Sequence, residues 1–394
     1  MPWRESENHA LDSIRVAVLG AGHAGRGLAS YLALHGFDVS LYNRTRNNVK
    51  GILARNGIYI HGIVKAFAPL PLVTDDMALA IDGRNLLIIT VPAQAHTFFA
   101  ETMGPHLERN QTVLLMPGRT GGALEFAKIL SDNSHSDGIL LGEAQTFSFV
   151  SRITGSDSVL ISKIKNSVEV SAFPASHNSR LMKALNELPL TFQMVGDVMD
   201  TSLNNIGAML HPTPTILCAG LLESKKGGYN HYHDAISMTV GKLVERMDAE
   251  RIKVSQQFVS QPVALLEWLR NTYDAEGSTL CECIRSIDTY NGVGSPSSLD
   301  HRYVLEDVPT GLVPISHFGK LAEVETPAID TVINMACQLY EIDFWESGRN
   351  LETLGLEGLS PTEVREYVRT GIMPDSYPDH PEIWDIFGLE VDET

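Results

Sequence analysis

The chain has 394 residues and a formal net charge of −18, with no concentration of Lys and Arg anywhere along it. This acidic balance excludes a nucleic-acid-binding protein, because polyanions are bound by clustered cations. The content of 43% hydrophobic and 20% charged residues is that of a folded globular protein, and the length favours two domains.

The cysteines and the N-terminal segment indicate in which cellular compartment the protein is expected. Four cysteines are too few for a disulfide framework at this length, so we expect reduced thiols. Residues 1–13 are polar and lack the apolar core of a signal peptide, and no run of about 18 apolar residues could span a bilayer. We therefore expect a cytoplasmic protein with no membrane partner. No metal is expected, since Cys281 and Cys283 have no second ligand pair nearby.

Residues 15–46 have the pattern of a strand, a glycine turn, a helix and a second strand. The glycines follow the spacing G-x-G-x-x-G: the first suits a tight turn, the second lets a pyrophosphate reach the backbone, and the third lets helix and strand pack closely. The helix N-terminus would bind phosphates. This predicts a dinucleotide site, although a structural glycine turn has the same signature. The predicted cofactor contacts of this turn are Gly20, Gly22, His23, Ala24 and Gly25.

Strands and helices continue to alternate up to about residue 187. Such alternation indicates a Rossmann-type, doubly wound parallel sheet, whose ligands lie beyond the carboxyl ends of the strands. Strands are predicted at 70–73, 86–91, 111–116, 138–141 and 168–173, with helices at 123–130 and 180–187 and a short helix that Thr74 could cap. Two more loops should meet the glycine turn, although each by itself could be a plain turn. Their predicted cofactor contacts are Val91, Pro92, Ala93 and Gly118.

From about residue 201, long helical patterns replace strands. Pro327 suits the first turn of a helix, and Gly371 suits the end of another that begins with a capping box at Ser360. We therefore predict three parts: a dinucleotide-binding domain at 1–200, a mostly α-helical substrate domain at 201–371 and an acidic C-terminal extension at 372–394. The extension carries Ile383, Trp384, Ile386 and Phe387. Fraying, packing against the body and packing against a second subunit of a homodimer all stay open.

The end of the second strand bears on which nucleotide is bound. An NAD site places an acid there for the ribose hydroxyls, but this chain has Asn43-Arg44-Thr45-Arg46, and the nearest acid, Asp38, precedes the strand. Arg44 could stack on adenine and pair with a 2′-phosphate, while Asn43 and Thr45 offer neutral hydrogen bonds. We predict a preference for NADP(H) over NAD(H); the alternative is that Arg44 and Arg46 are solvated loop charges.

Residues 200–215 form an apolar helical pattern that is interrupted by His211, Pro212 and Pro214. Proline within a helix kinks it and frees backbone carbonyls, which proteins tolerate where the chain lines a cavity. His211 is therefore a candidate general acid/base, although a structural histidine fits the same pattern.

Residues 300–314 hold a second polar cluster. Arg302 could bind a substrate carboxylate through two hydrogen bonds, and Asp307 could orient and charge-stabilise an imidazole. A surface salt bridge between Arg302 and Glu306, one helical turn apart, is the structural alternative.

The combination of these motifs resembles the opine dehydrogenase family, which includes octopine, nopaline and N-(1-carboxyethyl)-norvaline dehydrogenases. The likeness runs from Ile14 to about Leu359, and its most specific parts are His-Pro-x-Pro-Thr at 211–215 and Arg-Tyr-x-x-Glu-Asp-Val-x-Thr-Gly-Leu-Val-Pro at 302–314. The glycine turn and the segments 91–93, 117–126, 142–143 and 248–252 also match.

The resemblance implies an enzyme that joins the amine of an amino acid, or a related amine, to a 2-oxo acid such as pyruvate and reduces the resulting imine with NAD(P)H. By position it implies His211 as the catalytic acid/base, Asp307 as its partner and Arg302 as a carboxylate contact, with Asn205 shaping the site. The implied substrate contacts are Arg119, Gln145, Thr146, Ser151, His211 and Arg302. Ser151 stands where some relatives have Cys, and residues 144–150 depart from the family, which leaves the amino-acid specificity open.

Two other functions stay open. A ketone or 2-oxo acid reductase, of the ketopantoate reductase or glycerol-3-phosphate dehydrogenase kind, shares the two-domain plan and would oxidise NADPH with the oxo acid alone. A non-catalytic NADPH-binding or sensing protein would bind the cofactor without turnover. It would leave His211, Arg302 and Asp307 without a purpose.

Overall fold

The computed structural model describes residues 14–374. Its strands are β1 (Arg15–Leu19), β2 (Asp38–Tyr42), β3 (Gly57–Gly62), β4 (Ala66–Pro69), β5 (Leu72–Thr74), β6 (Leu86–Ile89), β7 (Thr112–Leu115), β8 (Leu140–Ala144), β9 (Phe149–Gly155), β10 (Ser158–Ile164), β11 (Val168–Phe173) and β12 (Phe192–Met194).

Helices lie between the strands and then make up most of the C-terminal half. They are α1 (His23–Leu34), α2 (Lys50–Arg55), α3 (Met77–Ile81), α4 (His96–Met103), α5 (Gly122–Asp132), α6 (Asn178–Leu185), α7 (Val198–Leu203), α8 (Ile206–Leu210), α9 (Pro212–Leu217), α10 (Ala219–Lys225), α11 (Met238–Ser255), α12 (Leu265–Tyr273), α13 (Leu280–Ser286), α14 (Arg302–Leu305), α15 (Val313–Leu321), α16 (Pro327–Tyr340), α17 (Phe344–Ser347) and α18 (Pro361–Thr370).

Eight strands form the main sheet, in the order β12-β11-β8-β7-β6-β1-β2-β5. The six strands from β8 to β5 are parallel, and β11 runs antiparallel to β8. Strands β6 and β7 are buried along their whole length, because uninterrupted apolar runs suit a sheet covered on both faces. The strand order reverses between β1 and β6, and ligands of such sheets bind at this reversal. The predicted Rossmann-type doubly wound sheet, followed by a mostly α-helical part, is confirmed.

A second sheet, in the order β4-β3-β10-β9, is absent from the sequence-based prediction. Its central pairing is parallel and joins distant segments, with Ser158 opposite Tyr59. The sheet packs on α1: a Cβ atom at Gly27 would lie 3.3 Å from Ser151 of β9. This sheet therefore supports the helix that follows the glycine turn.

The cap of α3 differs from the prediction. Strand β5 extends to Thr74, so the helix begins later, at Met77, and Asp76 caps it by accepting a hydrogen bond from the Leu79 N–H at 3.1 Å. Thr74 accepts a hydrogen bond from the Asp76 N–H instead. The prediction that Thr74 caps this helix is wrong, because the pattern did not show where β5 ends.

Other helix ends agree with the sequence. Pro327 is the first residue of α16, Ser360 forms a capping box with Glu363 at the start of α18, and Gly371 ends α18 with a φ of +76°. The apolar residues at 383–387 of the predicted extension lie outside the described residues. Among residues 14–374, no helix has the length and apolarity needed to cross a membrane.

Arg349 joins the C-terminal part of the chain to the main sheet. Its guanidinium is buried and donates hydrogen bonds to the carbonyls of Gly118 and Thr120, at 3.0 and 2.9 Å, and it pairs with Glu125 at 2.9 Å. A charged group buried in this way stabilises a structure only when its donors are satisfied. Arg349 therefore fixes the 117–121 loop, which also carries Arg119.

Candidate active site

The glycine turn has the backbone geometry that its spacing predicts. Gly20 has a φ of +115°, a backbone conformation that residues with a side chain rarely adopt. A Cβ atom at Gly25 would lie 1.7 Å from the Gly20 carbonyl oxygen. At Gly22, by contrast, a Cβ atom would meet nothing within 4 Å. The turn is thus closed by Gly20 and Gly25 and open at Gly22.

The start of α1 fits an anionic ligand such as the pyrophosphate of a dinucleotide. The N-cap, Gly22, offers no capping side chain, and the first turn has no acid, so N–H groups and the positive end of the helix dipole face outward. Arg26 lies buried behind the turn and donates hydrogen bonds to backbone carbonyls, among them Ala21 at 3.0 Å and Asn48 at 2.7 Å. Its charge adds to the positive field of the turn.

The second sheet holds His23, the residue that follows Gly22 in the glycine turn. The Nδ1 atom of His23 accepts a hydrogen bond from the Ile153 N–H at 2.8 Å, and the Ser151 hydroxyl donates to the His23 carbonyl at 2.9 Å. His23 is exposed and the neighbouring Ala24 is half-buried. Ser151, predicted as a substrate contact, therefore lies beside the glycine turn.

The end of β2 is more crowded with charge than the sequence suggests. Asn43 accepts a hydrogen bond from the Ala21 N–H at 3.2 Å and donates to the Thr45 carbonyl at 2.9 Å, so it braces the turn. Arg46 pairs with Asp75 at 2.8 Å, because β5 pairs with β2 and brings that acid alongside. The exposed guanidinium of Arg44 lies 5.0 Å from the centroid of the Phe98 ring.

The other two predicted loops meet the turn at the edge of the sheet. The Thr90 hydroxyl, at the end of β6, donates to the Gly20 carbonyl at 2.9 Å. Glu306 joins these loops to the helical half, since its Oε1 accepts the Ala93 N–H at 3.2 Å and Arg119 Nε at 3.3 Å. The remaining loop residues are placed differently: Val91 is half-buried, Pro92 is exposed and Gly118 is buried.

His211 lies at the junction of α8 and α9, where Pro212 starts a new helix. Its Nδ1 lies 2.7 Å from Asp307 Oδ2, and its Nε2 lies 3.3 Å from the Tyr232 hydroxyl. Asp307 is fully buried and immediately precedes a π-helical turn, Val308–Leu312, a form that is frequent at functional sites. The geometry thus gives Nδ1 a carboxylate partner and leaves Nε2 for a hydroxyl.

Charges around this pair are arranged to keep the carboxylate ionised. Burial by itself would raise the pKa of Asp307, but Arg119, followed by His211, outweighs it and lowers that pKa to about 2. Burial lowers the pKa of His211 below its ordinary value, and Asp307 opposes the shift. An ionised Asp307 accepts the Nδ1–H, so a neutral His211 has its lone pair on Nε2.

Tyrosine side chains that the sequence-based prediction did not single out lie beside the imidazole. Tyr303 stacks on His211 with ring centroids 4.2 Å apart and planes 13° apart. Tyr232 stacks on Tyr290 at 4.2 Å. Tyr303 belongs to a segment that matches the opine dehydrogenase family, whereas Tyr232 falls between two histidines, His231 and His233, in a stretch with no recognised motif. The stacked Tyr303 ring covers one face of the imidazole and limits its rotation.

A cavity of about 230 Å³ opens in front of His211. Six of the predicted catalytic or substrate residues line it: Arg119, Gln145, Thr146, Asn205, His211 and Arg302. Ser151 does not. Lys165 and the rings of Phe147, Trp268, Tyr273 and Tyr290 also line it, and none of these was predicted. A shallower depression of about 490 Å³ beside α15 and α16 contains none of the predicted residues.

Two of the lining residues hold the site together. Asn205 caps α8 by accepting from the Ala208 N–H at 3.4 Å and donates to the Thr120 hydroxyl at 3.3 Å. The Gln145 side chain donates to the Asn204 carbonyl at 3.1 Å. Both amides therefore position the backbone that leads into His211.

Arg302 combines both interpretations of its motif. It pairs with Glu306 at 3.1 Å, as the structural alternative supposes, yet its side chain is 44% exposed and lines the cavity. Glu306 is buried and also pairs with Arg119. Because Arg302 has five donor N–H groups, the pairing leaves it able to bind a further carboxylate.

His231 is fully buried against Tyr232 and Tyr303, so we expect the free energy of unfolding to depend on pH through this residue. Burial lowers its pKa to about 3, whereas the unfolded chain takes up the proton near pH 6.5. The contribution of neutral His231 to the free energy of unfolding is therefore fully present above about pH 6.5 and is lost as the pH falls towards 3. Between pH 7 and pH 5, wild type should lose about 2 kcal/mol of unfolding free energy relative to His231→Phe.

Urea denaturation at the two pH values measures this difference. Other groups titrate in the same interval, so the comparison is made with His61→Phe, which changes an exposed histidine. Equal losses in wild type and His231→Phe would show that His231 does not carry the effect.

Two family models match the chain. The model described as "NAD/NADP octopine/nopaline dehydrogenase, alpha-helical domain" matches residues 194–340, and the model described as "NAD-dependent glycerol-3-phosphate dehydrogenase N-terminus" matches residues 15–134. The second match reflects the nucleotide-binding half that both families share.

Known proteins match over nearly the whole length. An opine dehydrogenase from Arthrobacter sp. (strain 1C) is 34% identical over 359 residues, which are 91% of this chain and 99% of that protein. Octopine dehydrogenase in complex with NADH and L-arginine has a TM-score of 0.74 at 17% identity, covering 92% of this chain and all of that one. Yersinopine dehydrogenase with NADP⁺ bound has a TM-score of 0.69 at 14% identity, covering 91% and 98%.

These matches decide between the functions that the sequence left open. The helical half matches the family model of the octopine and nopaline dehydrogenases, and an opine dehydrogenase is 34% identical over 91% of this chain. The chain therefore belongs to the opine dehydrogenase family and is an NAD(P)H-dependent oxidoreductase that acts on CH–NH bonds.

Proposed function

We propose that this enzyme joins the amine of an amino acid to a 2-oxo acid such as pyruvate and reduces the imine, with NADPH as its preferred donor. The observation that carries the proposal is the His211–Asp307 pair, set at a cavity that also holds two arginines, beside the edge of the sheet where the glycine turn lies. Residues 1–200 would bind the dinucleotide and residues 201–371 would bind and activate the substrates.

His211 would move the protons that imine formation requires. Its Nε2, with the lone pair, can take a proton from the incoming ammonium group and then deliver it to the departing hydroxyl of the carbinolamine. Asp307 would hold the ring in the tautomer that makes this transfer possible and would stabilise the imidazolium. Tyr232, 3.3 Å from Nε2, is placed to share the proton.

The arginines would orient the oxo acid. Arg302 is the more exposed of the two and can donate two hydrogen bonds to a carboxylate. Bound in this way, the oxo acid would present one face of the imine to the hydride donor. Arg119 is held by Glu306 and Asp307, so its charge is largely balanced within the protein. Bound beyond the glycine turn, NADPH would supply the hydride that reduces the imine carbon.

The assay that tests the reaction measures NADPH oxidation with pyruvate alone and with pyruvate plus each of a panel of amino acids and simple amines. We expect oxidation only when both substrates are present. Equal rates with pyruvate alone would contradict the proposal and would favour the oxo acid reductase.

The preference for NADPH rests on Arg44. The exposed guanidinium stacks near Phe98 and, among residues 14–374, forms no ion pair, whereas the neighbouring Arg46 neutralises Asp75. A 2′-phosphate at the end of β2 would therefore meet the positive charge of Arg44, which no carboxylate among residues 14–374 pairs with. Solved relatives bind either cofactor, NADH in octopine dehydrogenase and NADP⁺ in yersinopine dehydrogenase, so the residues at this strand end are the basis for the choice.

Arg44→Ala should raise the Michaelis constant for NADPH by about tenfold, the effect of one charge-assisted hydrogen bond at an exposed site, and leave that for NADH within about twofold. Steady-state kinetics with both cofactors measures this change. The control is Arg369→Ala, which removes an exposed arginine on α18. If both constants for Arg44→Ala stayed at the wild-type values, the preference would have to come from elsewhere.

A further inference from the structure

Lys165 lines the cavity in front of His211, on the segment that follows β10. Its Nζ donates a hydrogen bond to the Thr146 hydroxyl at 2.8 Å. Within the part of the chain that the structure describes, no Asp or Glu forms an ion pair with it. A partly buried ammonium group whose side-chain hydrogen bond goes to a neutral hydroxyl is poorly compensated.

The surroundings of Lys165 further disfavour its charged form. Burial, followed by the charges of Arg119 and Lys163, lowers the pKa of Lys165 to about 8. Among residues 14–374, no acidic side chain lines the cavity; Glu306 and Asp307 do not line it and are paired with Arg119. The ammonium group of Lys165 therefore faces the cavity with no carboxylate beside it among the described lining residues.

The proposed reaction brings two carboxylates into this cavity. One belongs to the oxo acid, and Arg302, at the exposed side, is assigned to it. The other belongs to the amino acid, and the described residues leave it one uncompensated cation, Lys165, with the Thr146 hydroxyl as a second donor.

We propose that Lys165 and Thr146 bind the α-carboxylate of the amine substrate, and that this contact makes the enzyme select α-amino carboxylates over simple amines. The inference rests on the proposed reaction and adds to it a specificity residue. The contact would give a physical reason for a carboxylate on the amine: an amine without one leaves the half-buried Lys165 ammonium group without an anion.

The test compares Lys165→Met, which keeps the length of the side chain and removes the charge, with Lys165→Arg, which restores it. The matched control is Lys163→Met, an exposed lysine two residues away. The probes are L-leucine and L-phenylalanine and the corresponding amines without the carboxylate, 3-methylbutylamine and 2-phenylethylamine, each with pyruvate and NADPH.

For Lys165→Met we expect the KM of both amino acids to rise by about 10- to 100-fold, the effect of losing a hydrogen bond to a charged group. The KM of pyruvate and the Kd of NADPH should stay within about twofold, and the preference for amino acids over amines should shrink by the same factor. Lys165→Arg should recover most of the loss. Thr146→Val, which leaves the charge in place, should raise the amino-acid KM by only about three- to tenfold.

Each contrary outcome is informative. If Lys165→Met behaves like Lys163→Met, or if the KM of pyruvate rises in place of that of the amino acid, the assignment of Lys165 is overturned while the reaction itself stands. If wild type shows no turnover with pyruvate and any amino acid, the proposed reaction fails instead. If Lys165→Met does not fold, the Thr146→Val and Lys165→Arg measurements decide the assignment in the same way.

Discussion

Replacement of His211 by alanine is expected to lower kcat by about 10²- to 10⁴-fold, the usual contribution of a positioned general acid/base. The ring is the group in the cavity that combines a carboxylate partner on one nitrogen with a lone pair on the other. Alanine removes both functions and leaves the glycine turn untouched. The dissociation constant of NADPH, measured by fluorescence titration, should therefore stay within about twofold of wild type.

His61→Ala controls for the loss of a histidine, since His61 is exposed on β3 of the second sheet. It should retain wild-type turnover. A near-normal kcat for His211→Ala would remove His211 from the chemistry and leave the proton transfers to another group, with the Tyr232 hydroxyl the nearest candidate.

The second large effect is expected from Asp307→Asn, which should lower kcat by about 10²- to 10⁴-fold while nearly preserving the shape of the side chain. The neutral amide no longer fixes the proton on Nδ1 and no longer stabilises an imidazolium. Because Asp307 raises the pKa of His211 against the effect of burial, its loss lowers that pKa further. The inflection of the pH–rate profile that reports His211 should move to lower pH.

A double-mutant cycle separates this effect from simple unfolding. If Asp307 acts through His211, the double variant His211→Ala/Asp307→Asn should be no slower than the slower single variant, because residues that act as a unit are not additive. Multiplied losses would show that Asp307 acts independently of His211. Asp132→Asn, at an exposed acid on α5, should leave kcat unchanged, and thermal denaturation of each variant checks the fold.

The Rossmann-type sheet was predictable because its signals are local. The apolar runs of β1 and β6 describe strands buried on both faces, and the alternation with helices specifies a parallel sheet. The second sheet gave no such signal. Its strand β9 is alternately exposed and half-buried for most of its length. Strand β10 pairs in parallel with β3, which lies about 100 residues earlier in the chain. No local rule selects that pairing.

The same distinction applies to the site. The kink at His211 follows from Pro212, which has no N–H to continue a helix, and it is visible in the letters of the sequence. Lys165 gave no signal, because a lysine at the end of a strand is ordinary until the fold places it in a cavity. Asp75 was missed for a related reason: it lies next to Arg46 only because β5 pairs with β2.

By itself, then, the sequence determined the glycine turn, the alternation of strands and helices, and the break at His211, because each depends on backbone rules that act within a few residues. The family resemblance added the partnership of His211 with Asp307. The tertiary structure alone decided how the site is built: which carboxylates pair with Arg119, which ring stacks on His211 and which lysine lines the cavity. Charge balance and burial depend on groups that are distant in the chain, so only the folded molecule specifies them.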